Sequence, residues 1–229
     1  MENKYQHDLN LTQWVNEFEI LTQQGEKTTF DIRIYQKLIE YYQNEGDLKK
    51  AIEVADSALE QYGYRVDFYL IKAKILLVKK QPLEAMDCLY QAEQLHPQDT
   101  EVLLIKALIL SELKDKNTAL ALLNNMKTYV GQSDLVEVLA CETEIYFHAE
   151  EYNKGFVTLK DALRANPYHD KGQQLLSDYI SISRHYKSIS NFLQEMLENS
   201  PYSHFAWYNL GHCYSNLGEY EQAIDAFEY

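Results

Sequence analysis

Three of the four prolines in this chain are separated by one recurring interval, and this spacing constrains the fold more than any other feature. Pro167 and Pro201 stand 34 residues apart, and Pro97 lies 70 residues before Pro167, which is one interval of 34 and one of 36. Such a period is typical of chains built from stacked two-helix units. The frame predicts repeats 1 to 6 over residues 32–65, 66–99, 100–135, 136–169, 170–203 and 204–229, the last one incomplete.

Small side chains recur at one place in this frame. The twentieth position of the successive repeats holds Ala51, Ala85, Ala119, Gly155, Ile189 and Ala223. Two antiparallel helices approach closely only where one carries small side chains and larger residues of the other fill the remaining space. The sequence therefore predicts an all-α fold, an α-solenoid of stacked antiparallel helix pairs.

The turns between the predicted helices carry matching signals. Gly46 and Gly218, in NEGDLKKA and NLGEYEQA, stand where a first helix should end, because glycine adopts the left-handed conformation without strain. Asp47 is then expected to cap the following helix. The caps expected after the turns between repeats are Asp99 or Thr100, and Asp170.

The last repeat, AWYNLGHCYSNLGEYEQAIDAFEY, resembles the tetratricopeptide repeat almost residue for residue. The matching positions are Trp207, Leu210, Gly211, Tyr214, Gly218, Tyr220, Ala223 and Phe227. Repeats 1, 2 and 4 match more loosely, and repeat 5 departs most, with Gln173 in place of an opening aromatic residue and Ile189 in place of a small one. The resemblance implies a right-handed superhelix whose first helices line a concave, ligand-binding face.

The two ends of the chain differ from the repeats between them. Residues 8–24 form an amphipathic pattern, so residues 1–31 are expected to supply a capping helix and a connector. At the other end, Tyr229 falls within the second helix of repeat 6. We therefore expect the sequence to be part of a longer array or of a larger protein.

Charge and cysteine content narrow the classes of partner. The net charge of −14 disfavours binding to nucleic acid and to anionic membranes, because both need clustered lysine and arginine. The negative charge then serves either solubility or a preference for basic partners. The three cysteines are widely spaced, which fits neither a disulfide framework nor a zinc site. Together with the absence of a signal-peptide pattern, this predicts a cytoplasmic protein without cofactors.

The resemblance and the register together select candidate partner-binding residues on the first helices. These are Arg33, Lys37, Leu70, Ile71, Lys74, Leu104, Ile105, Leu108, Glu137, Glu144, Tyr208 and His212. The apolar members in the middle predict a groove for an apolar or amphipathic segment. The alternative is that some of them pack between neighbouring first helices.

No motif for nucleophilic, phosphate-binding or zinc-dependent catalysis occurs in the sequence. The leading hypothesis is therefore a non-catalytic scaffold that binds a peptide or a helix of a partner protein in the concave groove. Two alternatives stay open. The repeats could form the regulatory region of a larger enzyme or sensor, or they could self-assemble into a homo-oligomer through the incomplete repeat 6.

Overall fold

The computed structural model describes the backbone of residues 2–229 and the side chains of residues 10–229, and within these residues all regular structure is helical. The helices are α1 (Glu2–Gln24), α2 (Ile32–Asn44), α3 (Leu48–Gln61), α4 (Val66–Val78), α5 (Pro82–Leu95), α6 (Thr100–Glu112), α7 (Lys116–Met126), α8 (Gln132–His148), α9 (Tyr152–Ala165), α10 (Asp170–Ile182), α11 (Tyr186–Asn199), α12 (His204–Leu217) and α13 (Tyr220–Phe227). Each repeat of the sequence frame contains two of them, starting with α2 and α3.

The chain divides into two compact bodies. The N-terminal body spans Met1–Leu113 with α1 to α6, and the C-terminal body spans Lys114–Tyr229 with α7 to α13. The boundary falls inside repeat 3, between its two helices, so it does not coincide with an edge of the 34-residue frame.

Helices pack in pairs within each body. In the N-terminal body α2 packs on α3 and α4 on α5, while α4 also contacts the next first helix, α6. In the C-terminal body α8 packs on α9 and α12 on α13, and the first helices α8, α10 and α12 are in contact in sequence. Paired helices with neighbouring first helices confirm the predicted all-α helical-repeat fold of the solenoid class.

The small residues of the frame lie where the helices approach each other. Ala51, Ala85 and Ala119 have no exposed surface, and Ile189 at the same position of repeat 5 is also fully buried. At Gly211, an added Cβ would lie 2.6 Å from a ring carbon of Phe227, so this ring packs directly on the backbone of α12. The recurrence of small residues thus follows from helix contact.

Two of the predicted helix caps are confirmed and one is wrong. The Asp47 carboxylate accepts a hydrogen bond from the Lys50 amide at 3.0 Å, and Asp99 caps α6 in the same way. Asp170, in contrast, is the first residue of α10, and His169 is its N-cap. The His169 ring takes this place because its Nδ1 accepts a hydrogen bond from the Gly172 amide at 3.2 Å.

The N-terminal helix starts earlier than the pattern over 8–24 suggests, because residues 2–7 contain no proline or glycine to stop a helix. Its buried residues Val15 and Phe18 join a core cluster with Tyr35, Leu38 and other residues of repeat 1. None of the helices in the described part of the chain is long and apolar enough to cross a membrane.

Candidate binding surfaces

The first helices of repeats 2 and 3 carry apolar residues on nearly every side, which leaves some of them at the surface. On α4, Ile71 is half-buried and Val78 is 67% exposed. On α6, Leu104 and Leu108 are half-buried. We name Ile71, Val78, Leu104 and Leu108 the α4–α6 strip.

Ion pairs show that the two halves of this strip face the same way. The Lys74 ammonium donates to the Glu101 carboxylate at 2.6 Å, which joins α4 to α6. Lys74 lies three residues after Ile71 and four before Val78, so these three side chains lie on one face of α4. Glu101 lies three residues before Leu104, so both lie on the face of α6 that the ion pair joins to α4. A second pair, between Lys80 and Glu112 at 3.0 Å, joins the far ends of the same helices. The strip therefore lies on the joined faces of α4 and α6, with Lys74 between Ile71 and Val78 on α4.

The same surface continues onto α2 as a polar region. The Gln36 amide donates to the Asp67 carboxylate at 3.3 Å and so joins α2 to α4. The Arg65 guanidinium hydrogen-bonds both oxygens of Asp67 and lowers the pKa of this carboxyl group. Of the predicted binding residues here, Arg33 is exposed, and the Lys37 ammonium lies 5.5 Å from the ring centre of Trp14.

Two residues of the predicted apolar groove point into the helix stack instead. Leu70 is 3% exposed and Ile105 is 2% exposed, and both belong to a core cluster with residues of α5. These positions lie beside the outward face of α4 and α6, where neighbouring helices cover them. The apolar surface is thus narrower than the sequence pattern suggests, and Leu70 and Ile105 are structural residues.

Contacts between helices also engage the predicted acidic residues of the C-terminal body. Glu137 on α8 contacts the His169 ring at 3.0 Å, and Glu144 on α8 accepts from the Lys171 ammonium at 3.0 Å. Both contacts join α8 to the start of α10. These carboxylates thus hold neighbouring first helices together.

The aromatic candidates of repeat 6, Tyr208 and His212, belong to a cluster that also contains Phe227. Tyr208 and His212 stand one turn apart on α12, with ring centres 4.7 Å apart. Phe227 of α13 contacts both, at 6.0 Å from Tyr208 and 5.6 Å from His212. Tyr208 is 58% exposed and Phe227 is 48% exposed, so the cluster lies open at the surface. Phe227 could have been found from its position in the repeat, which faces Gly211.

Each of the three cysteines is a buried thiol. Burial raises the pKa of the Cys88 and Cys141 thiols and raises that of Cys213 to about 12. In the part of the chain that the structure describes, no three His, Cys, Asp or Glu side chains are grouped so as to hold a metal ion.

Comparison with known proteins matches residues 204–228 to the sequence profile of the tetratricopeptide repeat. Comparison with curated protein sequences gives no match. Among solved structures, PilW, a widely conserved type IV pilus biogenesis factor, is similar with a TM-score of 0.55 at 14% identity, over 85% of this chain and 89% of that one. A tetratricopeptide repeat protein from Parabacteroides merdae ATCC 43184 is 18% identical over 85% of this chain and 77% of that chain, with a TM-score of 0.45.

The structural likeness to PilW concerns the fold, and the profile match identifies the type of repeat. The matched residues 204–228 cover α12 and α13, and the remaining helix pairs follow the same register along the chain. Residues 204–228 are therefore a tetratricopeptide repeat, within a chain whose described residues have an all-α helical-repeat fold.

Proposed function

We propose that this protein is a non-catalytic scaffold whose N-terminal body binds an apolar or amphipathic segment of a partner protein on the α4–α6 strip. The tetratricopeptide-repeat match of residues 204–228 supports a protein-interaction scaffold in general. The observation that carries the finer proposal is the set of apolar side chains Ile71, Val78, Leu104 and Leu108, which stay partly open on the helix faces that two ion pairs join. Exposed apolar surface of this kind is typical of interaction sites.

The geometry of the strip suggests how a segment would bind. Apolar side chains at successive turns of a bound helix, or at alternate positions of an extended segment, would cover the leucines of α6 and Val78 of α4. The opposite charges within the pairs Lys74–Glu101 and Lys80–Glu112 neutralise each other, so these side chains offer polar contacts to a partner without an unpaired charge. Stacked helices keep the surface preorganised, which reduces the entropy cost of binding.

The proposal is tested with peptides selected by phage display on the folded chain. We expect the selected peptides to share apolar residues at helical or alternate spacing. The affinity of the best peptide should fall at least about tenfold for the Leu104→Glu, Leu108→Glu double variant and for Val78→Glu, because both place a charge in the contact area. Val78 is largely exposed, so its substitution leaves the fold intact.

A matched control places the same charges elsewhere on the N-terminal body. Leu83 and Tyr90 on α5 are 70% and 58% exposed and lie outside the strip. The Leu83→Glu, Tyr90→Glu variant should bind the peptide like the unmodified chain. Equal loss in this control, or unchanged binding by the strip variants, would refute the α4–α6 strip as the binding site.

A further inference from the structure

A cleft of about 370 Å³ lies at the surface of the N-terminal body and is lined by residues of α3, α4 and α5. Its least exposed lining side chains are Leu76 of α4 and Cys88 of α5, and Ile52 of α3 also lines it. We name this cavity the α3–α5 cleft. Its volume is in the range of pockets that bind small molecules.

The cleft lies on a different side of α4 from the α4–α6 strip. Lys72, Leu76 and Lys79 line the cleft and are spaced four and three residues apart, so they form one face of α4. With about 3.6 residues per turn, this face is turned by about 120° from the one that carries Ile71 and Val78. A ligand in the cleft would therefore not compete with a segment bound on the strip.

Gln81 contributes a hydrogen-bond acceptor to the cleft lining. Its side-chain oxygen Oε1 is buried and has no hydrogen-bond partner in the described part of the chain, while its Nε2 donates to the Glu84 carboxylate at 2.6 Å. Gln81 directly precedes α5, but its side chain does not cap this helix. A buried acceptor without a partner is unfavourable for the fold, so a ligand that donates to it would gain stability from this contact.

The charges of the lining favour a ligand that is positively charged. Asp56, Glu84 and Asp87 contribute three carboxylates and Lys72 and Lys79 two ammonium groups, which leaves one negative charge in excess. The Lys72 ammonium is already paired with the Asp56 carboxylate at 2.5 Å. The Asp87 carboxylate has no ion-pair or hydrogen-bond partner among the described residues, so it is available to a ligand.

The Cys88 thiol, deep in the cleft, responds to the same charges. Burial raises its pKa, and the carboxylates of Asp56, Asp87 and Glu84 raise it further, whereas the Lys72 ammonium acts in the opposite direction. Three negative charges and one positive charge therefore act on one point. The inner part of the cleft is thus a place where a positive charge is favoured.

We propose that the α3–α5 cleft binds a guanidinium group, as carried by the side chain of arginine. A guanidinium has five N–H donors in one plane, so a single group can donate to Gln81 Oε1 and to the carboxylates of Glu84 and Asp87. Its alkyl chain would lie on Ile52 and Leu76, as the stems of long cationic side chains do on apolar surfaces. The group can belong to a free small molecule or to an arginine of a partner protein.

The test is an NMR titration of the ¹⁵N-labelled full chain with arginine amide. The side-chain NH₂ group of Gln81 is a direct reporter, and its cross-peaks should shift and saturate in the millimolar range, as expected for so small a ligand. Citrulline amide has the same shape without the charge and should bind at least about tenfold more weakly, because it lacks charge-assisted hydrogen bonds. Lysine amide should also bind more weakly. Equal binding of arginine amide and either of the other two compounds, or no saturable shift at Gln81, would overturn the proposal.

Matched variants separate the cleft from the diffuse attraction of a chain with a net charge of −14. Gln81→Met removes the buried acceptor and should weaken binding of arginine amide about tenfold, followed through the backbone amides of α5, without lowering the melting temperature. Gln94→Met, at an exposed position of α5, should leave the affinity unchanged. Equal affinities of these two variants would show that Gln81 Oε1 is not part of a binding site.

A second matched pair tests the contribution of the carboxylates. Asp87→Asn should weaken binding about tenfold, because it removes a charge that lines the cleft. Asp225→Asn makes the same change at an exposed position of the C-terminal body and should have little effect. Equal effects of the two variants would show that the net charge of the chain, and not the cleft, attracts the ligand.

The source of the guanidinium is identified with a capped Gly-Gly-Arg-Gly-Gly peptide in the same titration. Binding at least as tight as that of arginine amide would assign the cleft to an arginine side chain of a partner protein. Loss of binding in the peptide would assign it to a free small molecule. Both results support a guanidinium site, because arginine amide binds in either case.

Discussion

A left-handed residue follows the first helix at the same place in five of the six repeats. Gly46 and Gly218 have φ values of 75° and 78°, as glycine allows. Lys80, Lys114 and Glu150 occupy the equivalent positions with φ values of 58°, 68° and 59°. Side chains with a Cβ adopt this conformation at a cost, so the fold imposes the turn geometry even where the residue does not favour it.

Replacing one of these residues by glycine should therefore stabilise the protein. We expect Lys114→Gly to raise the free energy of unfolding by about 0.5–1 kcal/mol, since relief of the left-handed strain exceeds the entropy that glycine loses on folding. Gln91→Gly, on the exposed side of α5, should instead lower it by about 1 kcal/mol. Urea denaturation of both variants gives the comparison, and a destabilising Lys114→Gly would contradict it.

A hydrogen bond explains how Gln173 replaces an aromatic residue at the start of a first helix. In repeats 2 and 6, Tyr69 donates to the carbonyl of Gly63 at 3.2 Å and Trp207 donates to that of Pro201 at 2.7 Å. The Gln173 amide donates to the carbonyl of Pro167 at 2.8 Å, also six residues earlier. The departure of repeat 5 from the family pattern therefore keeps the polar contact and loses only the ring.

At the scale of the helices, repeat 5 has a different turn between its two helices. Ser183 directly follows α10 and has an extended backbone with φ −92° and ψ 153°. In the other five repeats, the turn after the first helix contains a residue with positive φ. The Tyr179 hydroxyl contacts Nδ1 of His185 at 3.1 Å across this turn. Sequence spacing identifies the position of the turn, but this conformation follows from the local contacts.

Ala119 on α7 gives a test of the small-residue register. It has no exposed surface, so Ala119→Leu should overpack the core around it and lower the free energy of unfolding by about 1–3 kcal/mol. Ala121→Leu, on the exposed side of the same helix, should change it by less than about 0.5 kcal/mol. Thermal denaturation measures both, and equal effects would show that the register in repeat 3 is wrong.

The attachment of α1 to repeat 1 should depend on pH. Glu19 on α1 accepts hydrogen bonds from the Lys50 ammonium and from the Tyr42 hydroxyl. The contact with Lys50 lowers the pKa of Glu19, so the stabilisation is present above the ordinary pKa of glutamate and is lost as the pH falls through the lowered value.

Glu19→Gln should accordingly increase hydrogen exchange in α1 at neutral pH. The pair is partly exposed, so the cost should stay below about 1 kcal/mol. At a pH well below the lowered pKa, the variant and the unmodified chain should exchange alike, because Glu19 is then protonated in both. Glu17→Gln, on the exposed side of α1, serves as the control, and an equal effect there would argue against the contact with Lys50 as the cause.

At the scale of the whole molecule, the buried thiols report on the integrity of both bodies. Cys88 lies in the N-terminal body, and Cys141 and Cys213 lie in the C-terminal body. Because burial raises all three pKa values, little thiolate is present at pH 8, and thiolate is the reactive species. We expect native labelling to be at least about a hundredfold slower than labelling of the unfolded chain.

Mass spectrometry after labelling at increasing urea concentration resolves each cysteine. Labelling of Cys88 then follows unfolding of the N-terminal body, and labelling of Cys141 and Cys213 follows that of the C-terminal body. Rapid labelling of any of the three in the native chain would show that its burial is not maintained in solution.

The sequence by itself determined the fold class, the length of the repeat and most of the buried small positions. It could do so because helix pairing requires small residues such as Ala51 and Ala85 at a fixed interval, and because turns require residues such as Gly46 and Gly218. These requirements apply to each repeat separately, so the residues that meet them recur along the sequence at a fixed interval.

Only the tertiary structure decided which residues of the outward helix faces remain open. Leu70 and Ile105 share the apolar character of Leu104 and Leu108, yet neighbouring helices cover the first two and leave the others half-exposed. The contacts of Glu137 with His169 and of Glu144 with Lys171, which join α8 to α10, could not be predicted for the same reason. Exposure and charge pairing depend on which helices become neighbours, and a side chain's type and position in one helix do not specify that.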